Sequence, residues 1–156
     1  MIQRIQSLYL LISAVLTGSF IWLNLATLAN DSITYSMTFN GIAQSATTSD
    51  EPLQVLYNSW PLALLVILTT AISLIALFMY KKRMLQIRIV GMNAALQLGL
   101  FAMVFYLGQT SASNLEAVIS YHLPVAFPLV AVVLSILAII AIGKDEALLR
   151  SFNRLR

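Results

Sequence analysis

Apolar and polar positions in this chain segregate into whole segments. Four stretches, residues 7–28, 60–80, 89–108 and 123–143, are apolar and free of charge. Each is about 20 residues, enough to cross a hydrocarbon core of roughly 30 Å at about 1.5 Å per residue. Backbone polar groups in lipid must be satisfied internally, so each stretch is expected to be a transmembrane helix. The first follows a basic start at Arg4 but is longer than the roughly 7–15-residue apolar core of a cleaved signal, so it is read as an anchor.

Between the first two spans, residues 29–59 show a different period. Ile33, Tyr35, Met37 and Phe39 alternate with Thr34, Ser36, Thr38 and Asn40, the two-residue period of a strand with one buried face. Asn40-Gly41 follows, a strong hairpin signal, and residues 42–47 are available as a return strand. The expectation is a small β-hairpin over the outer helix ends, either a lid on the bundle or a docking surface. Residues 49–52 read as a turn and 53–57 as a short interfacial segment. The third connection, 109–122, reads as a short polar loop ending in His122, expected to be solvated or capping. In the tail, 144–156, Leu148, Phe152 and Leu155 share one helical face and Arg150 and Arg154 another. That is an amphipathic helix lying in the headgroup region.

Charge turns the spans into an orientation. The nine basic residues are Arg4, Lys81, Lys82, Arg83, Arg88, Lys144, Arg150, Arg154 and Arg156. All stand at the N-terminus, in the second connection or in the tail. The first and third connections hold only Asp31, Asp50, Glu51 and Glu116. The positive-inside rule then puts both termini and the 81–88 turn in the cytoplasm. Composition agrees with a membrane solvent: 60% of residues are apolar and 10% charged, against about 25% charged in soluble domains. The divided charge argues against nucleic acid as a partner. It fits anionic lipid headgroups at the cytoplasmic face, contacted by Arg4, Lys81, Lys82, Arg83, Arg88, Arg150, Arg154 and Arg156.

Candidate chemistry is sparse. The chain has no cysteine and one histidine, which excludes disulfides, thiolate metal sites and a multi-histidine site. No ionisable residue lies within a span, which argues against proton- or ion-coupled transport. Asp145 and Glu146 read as solvated, and no base stands near a candidate nucleophile, so no enzyme activity and no cofactor are expected. Uncharged polar residues form stripes instead. Gln6, Ser13, Thr17 and Asn24 share a face of the first helix, and Asn93 and Gln97 a face of the third. By depth, Ser13, Thr17, Thr70, Ser73, Asn93 and Gln97 are expected to form an interhelical polar layer, serving either as hydrogen-bonded glue or as a path for a solute. Gly91, Ala95, Gly99 and Ala102 form a small-residue stripe on the opposite side of the third helix. Neighbours on both sides would place that helix centrally.

Three polar segments carry a resemblance: Met1-Ile2-Gln3-Arg4-Ile5-Gln6, Leu85-Gln86-Ile87-Arg88, and Lys144-Asp145-Glu146-Ala147-Leu148-Leu149-Arg150 with Arg154-Leu155-Arg156. Together they resemble a family of small four-span membrane proteins of uncharacterised function found in Bacteroidetes-group bacteria. The resemblance implies topology and source and transfers no site. It draws attention to Gln3, Gln6 and Gln86, which with Arg4 and Arg88 either hydrogen-bond to headgroups, the simpler expectation, or form a polar cluster at the cytoplasmic end.

The expected fold is an all-α, four-transmembrane-helix bundle with both termini inside, an outer β-hairpin and a cytoplasmic amphipathic helix, forming one domain. The layout also resembles claudin-like architecture in topology only; the cysteine pair of that fold is absent. The expected function is a non-catalytic structural or accessory subunit of an inner-membrane complex, partnered by other membrane subunits. The alternative is a small channel or carrier for an uncharged or apolar solute or lipid, working through the layer around Gln97.

Overall fold

A computed structural model describes residues 3–30, 33–44, 55–80 and 82–154. It is mostly helical, with helices α1 (Gln3–Gly18), α2 (Trp60–Phe78), α3 (Arg83–Asn114) and α4 (Phe127–Arg154). Three helices are long and apolar enough to cross a membrane: Trp60–Phe78, Arg83–Asn114 and Leu123–Asp145, the last including a 3-10 turn at its start. These mark a membrane protein. The helices pack cyclically, α1 against α2 and α4, and α3 against the same two. Each therefore has two neighbours, and α3 is no more central than the rest.

The first apolar stretch departs from expectation. The α-helix stops at Gly18, tightens through a 3-10 turn at Ser19–Ile21, and the chain re-emerges as strand β1 (Ala26–Ala29). The apolar helical part, Gln6–Ile21, is shorter than the three long ones. Hydropathy measures apolarity and not period, so residues 23–28 read as helix. In fact Ala26 and Leu28 alternate into a core from the middle of a sheet. Asn24, placed by helical period beside Thr17, lies beyond the helix and is exposed.

That sheet is the main addition to an all-α expectation. The hairpin is present as β2 (Thr34–Thr38) and β3 (Gly41–Gln44), turning one residue earlier than the Asn40-Gly41 signal. Phe39 and Asn40 form the turn, and Gly41 opens β3 with φ 148°, a conformation that favours glycine. Residues 53–57, read as an interfacial segment, contribute to β4 (Val55–Asn58), and the supposed polar third loop contributes β5 (Val118–Tyr121). All five strands form one antiparallel sheet in the order β4-β3-β2-β1-β5. Its inner face presents Ala26, Leu28, Tyr35, Met37 and Ile42 to Phe20, Leu62, Val66, Leu100, Val104 and Val125. The sheet thus roofs the end where α1 finishes, α2 begins, α3 finishes and α4 begins.

Two further boundaries move. Residues 109–114 continue α3 instead of entering a loop, and the tail continues α4 without a break through Arg154. The turn expected at 49–52, together with Asp31, Lys81 and Arg156, lies outside the described residues. So do the side chains of Arg4, Arg150 and Arg154 and the amphipathic face of the tail.

One helix–sheet contact is tight. A Cβ added to Gly108 would lie 2.7 Å from the Tyr121 hydroxyl oxygen and 2.8 Å from Ile119 Cδ1. The Tyr121 hydroxyl is buried with no hydrogen-bond partner among the described residues. Burial holds the phenol above its ordinary value, opposed by the nearby Gln109 side chain, which stands outside good hydrogen-bond geometry. Because the hydroxyl is buried unpaired, Tyr121→Phe is expected to leave stability within about 1 kcal/mol of the parent or to raise it. Unfolding in mixed micelles checks this; a larger loss would reveal a bond to the hydroxyl.

Candidate functional site: the buried polar layer

The interior alternates in layers. At the end away from the sheet, Leu10, Ala76, Val90 and Ala138 form an apolar cluster with one residue from each helix. Three positions along each helix toward the sheet stands a buried polar residue: Ser13, Ser73, Asn93 and Ser135. A spacing of three keeps both on one helical face, a turn apart. Gln97 follows Asn93 by four and is fully buried. The polar layer is thus sandwiched between that cluster and the larger core under the sheet.

Within the layer the side chains bond across helices. Gln97 donates from Nε2 to Ser13 Oγ on α1 at 3.1 Å, and its Oε1 accepts from Ser135 Oγ on α4 at 3.5 Å. Asn93 donates from Nδ2 to Ser73 Oγ on α2 at 2.7 Å. The two α3 amides together reach all three other helices. Ser135 completes the Gln97 network; the sequence marks it as the one polar residue at depth in the fourth apolar stretch. Two residues expected in the layer do not bridge: the Thr17 hydroxyl donates to Ser13 O and Ala14 O, and that of Thr70 to Val66 O, each within its own helix. Buried Thr69, which sequence depth did not single out, also bonds only its own helix. One acceptor, Asn93 Oδ1, is buried with no partner among the described residues.

The small-residue stripe lies elsewhere. Ala95, Gly99 and Ala102 are exposed and Gly91 is half-buried. Nothing lies within 4 Å of a Cβ built on Gly99. Among the described residues α2 and α4 pack mainly on the side carrying Asn93 and Gln97, and α4 reaches the stripe at Gly91, where an added Cβ would lie 3.9 Å from Ile139 Cδ1.

At the end away from the sheet, Gln6 and Gln86 make separate bonds on different helix pairs. Gln6 Nε2 donates to Asp145 Oδ2 at 2.7 Å, joining the start of α1 to the far part of α4. Gln86 Nε2 donates to the carbonyl of Ala76 at 2.9 Å, closing the end of α2 against the start of α3. Asp145, read from sequence as solvated, is only 9% exposed. Helix packing decides this: α4 runs on past Gly143 as an unbroken helix, which carries Asp145 back onto the α1 side. Lys82 and Arg88 are exposed and Arg83 is half-buried. His122 is exposed, its Nε2 2.7 Å from Thr27 Oγ1 while its backbone N–H donates to Leu25 O, so it secures the sheet. No three His, Asp or Glu side chains gather among the described residues.

A family profile covers residues 2–155 of the chain. It takes in the sheet, the layer and all of the three polar anchors but Met1 and Arg156. The chain belongs to the DUF4293 family. That family is described as a domain of unknown function. No curated protein matches the chain. For this DUF4293 protein the functional reading therefore rests on its own geometry.

Proposed function

We propose that this DUF4293 protein is a four-span protein of a bacterial inner membrane, with both termini cytoplasmic, serving as a non-catalytic structural or accessory subunit of a membrane complex. The observation that carries the reading is the layer itself. Apart from Asn93 Oδ1, its amides bond hydroxyls on the other helices, Gln97 to Ser13 and Ser135, and Asn93 to Ser73. They fasten four helices instead of lining a conduit. Interhelical bonds of this kind contribute about 0.6 kcal/mol each on average.

The membrane placement draws on both ends. Trp22 and Trp60 are exposed at the sheet end, and Phe78 and Tyr80 at the other; aromatic residues favour the two interfaces of a bilayer. The helix between Trp60 and Phe78 is 19 residues, about 28 Å. The first helix, at 16 residues, is about 24 Å long and is carried as a span by its packing on α2 and α4, with its shortfall absorbed by local thinning. The basic residues, Arg4 through Arg156, then face the cytoplasm and anionic lipid, while the sheet faces outward to other subunits. The three polar anchors support a Bacteroidetes-group source.

Two measurements test this. Single cysteines, introduced into a chain that has none, should label from outside at Ser120→Cys and only from inside at Lys144→Cys. Gentle extraction with cross-linking should recover a stoichiometric membrane partner; recovery of the lone chain under several mild conditions would sink the subunit reading.

A second reading, a channel or carrier for an uncharged solute or lipid, draws on one observation: the unpartnered Asn93 Oδ1 in the layer. Gln97→Leu separates the two. As glue, its loss is expected to cost about 1 kcal/mol in detergent unfolding with no change in solute flux. A flux change at unchanged stability would favour the conduit.

A further inference from the structure

We infer that the turn between α2 and α3 holds one acidic phospholipid by its phosphate group. The inference rests on the membrane reading above and gives its general lipid contact a specific site. A cavity of about 480 Å³ opens at this turn, lined by Phe78, Met79, Tyr80 and Lys82. Its chemistry is divided as a lipid headgroup region is divided. Phe78 and Tyr80 are 73% and 58% exposed at the end of an apolar helix, the position where aromatic rings meet headgroups. Lys82 is exposed, and no carboxylate pairs with it among the described residues.

Arg83 adds an unmet demand. Its Nη1 is enclosed and has no hydrogen-bond partner among the described residues. A guanidinium carries five donors and no acceptor, and an enclosed cationic donor without an acceptor is costly. Arg83 follows Lys82 without lining the cavity, and its charge beside that lysine favours an anion such as phosphate there. The first turn of α3 points the same way: Lys82, at its N-cap, supplies no side-chain bond, leaving the positive helix end open to an anion.

The flanks choose a lipid over free phosphate. Directly beyond the turn, Leu74 and Ile75 on α2 and Met84 and Leu85 on α3 are exposed apolar side chains. Acyl chains have that surface to lie on, and inorganic phosphate has no use for it. The excess of cations at the turn favours an acidic lipid, since a zwitterionic one brings its own ammonium.

The test uses the purified full chain in a neutral detergent, with phosphatidylglycerol, phosphatidylcholine and inorganic phosphate as separate probes. Native mass spectrometry is expected to show one phosphatidylglycerol per chain, with phosphatidylcholine at least tenfold weaker and millimolar phosphate unable to displace the lipid. The double variant Lys82→Gln with Arg83→Gln is expected to weaken phosphatidylglycerol at least tenfold. Should that variant not fold, Lys82→Gln alone changes an exposed residue and is expected to weaken it about threefold. Equal retention of the two lipids, full retention by the variants, or displacement by millimolar phosphate would each overturn the site. The lone purified chain is the sample, so failure to find a partner complex leaves the site standing. Loss of the lipid site equally leaves the subunit reading standing.

Discussion

Gly108→Val is expected to destabilise the protein by about 1–3 kcal/mol, the cost of forcing atoms into a filled contact. The first added carbon would meet the Tyr121 hydroxyl oxygen at 2.7 Å and Ile119 Cδ1 at 2.8 Å. Neither gives way freely. Tyr121 is held by the Phe105 ring, 4.6 Å away between centroids, and both Tyr121 and Ile119 belong to β5, whose register with β1 is fixed. Relief therefore requires the Tyr121 ring and the Ile119 side chain to swing away from α3, losing their packing there. Unfolding in mixed micelles measures the loss. Gly108→Ala is expected to show a smaller loss, part of which Tyr121→Phe should recover by removing the atom at 2.7 Å. Gly99→Ala is the control on the same helix: its Cβ meets nothing within 4 Å, so the better helix propensity of alanine should hold or raise stability. Equal losses at both glycines would refute the contact as the cause.

Gln6→Leu is the second substitution expected to have a large effect, about 1.5–3 kcal/mol, typical of a hydrogen bond to a charged group. Gln6 is 7% exposed and is the side chain that donates to the Asp145 carboxylate. Leucine leaves that carboxylate enclosed without its donor. Asp145→Asn removes the charge while keeping a group that pairs with glutamine, so it should be tolerated within about 1 kcal/mol. The double variant should then cost less than the sum of the singles, and this coupling is the decisive quantity. If Gln6→Leu costs the same in the Asp145→Asn background as in the parent, its effect is packing at the start of α1 and the pair is incidental.

What was readable from sequence follows period and length. The second apolar stretch, 60–80, matches α2 at Trp60–Phe78 almost residue for residue, because its uniform apolarity and Pro61 in the first turn leave one outcome. The alternation at 33–40 placed Tyr35 and Met37 on a buried face, and both are buried. Asn93 and Gln97 share a face at a spacing of four, and both lie in the layer. Each of these signals is local: it needs only the geometry of one helix or one strand.

What was not readable depended on partners distant in sequence. β1 and β5 are each four residues long, too short for a period to declare itself. β1 looked like helix because it is apolar, and β5 like loop because it is short. They become strands by pairing with each other, Ala26 opposite Tyr121, although two long helices separate them in the chain. Asp145 looked solvated because charge usually is; only the approach of α1 encloses it. The Gly91–Ala102 stripe looked like packing, yet Ala95, Gly99 and Ala102 stay exposed.

The chain's own composition and order determine that several helices are apolar enough for a membrane, that a strand pair interrupts them, and that polar amides stand on one face of α3. Those properties are carried by single segments, whose hydrophobicity and period act before any other segment arrives. The tertiary structure alone decides that the hairpin grows into a five-stranded roof, that Ser135 joins Ser13 at Gln97, and that Gln6 finds Asp145. These contacts join residues far apart in the chain, and they exist only once packing has brought their helices and strands together.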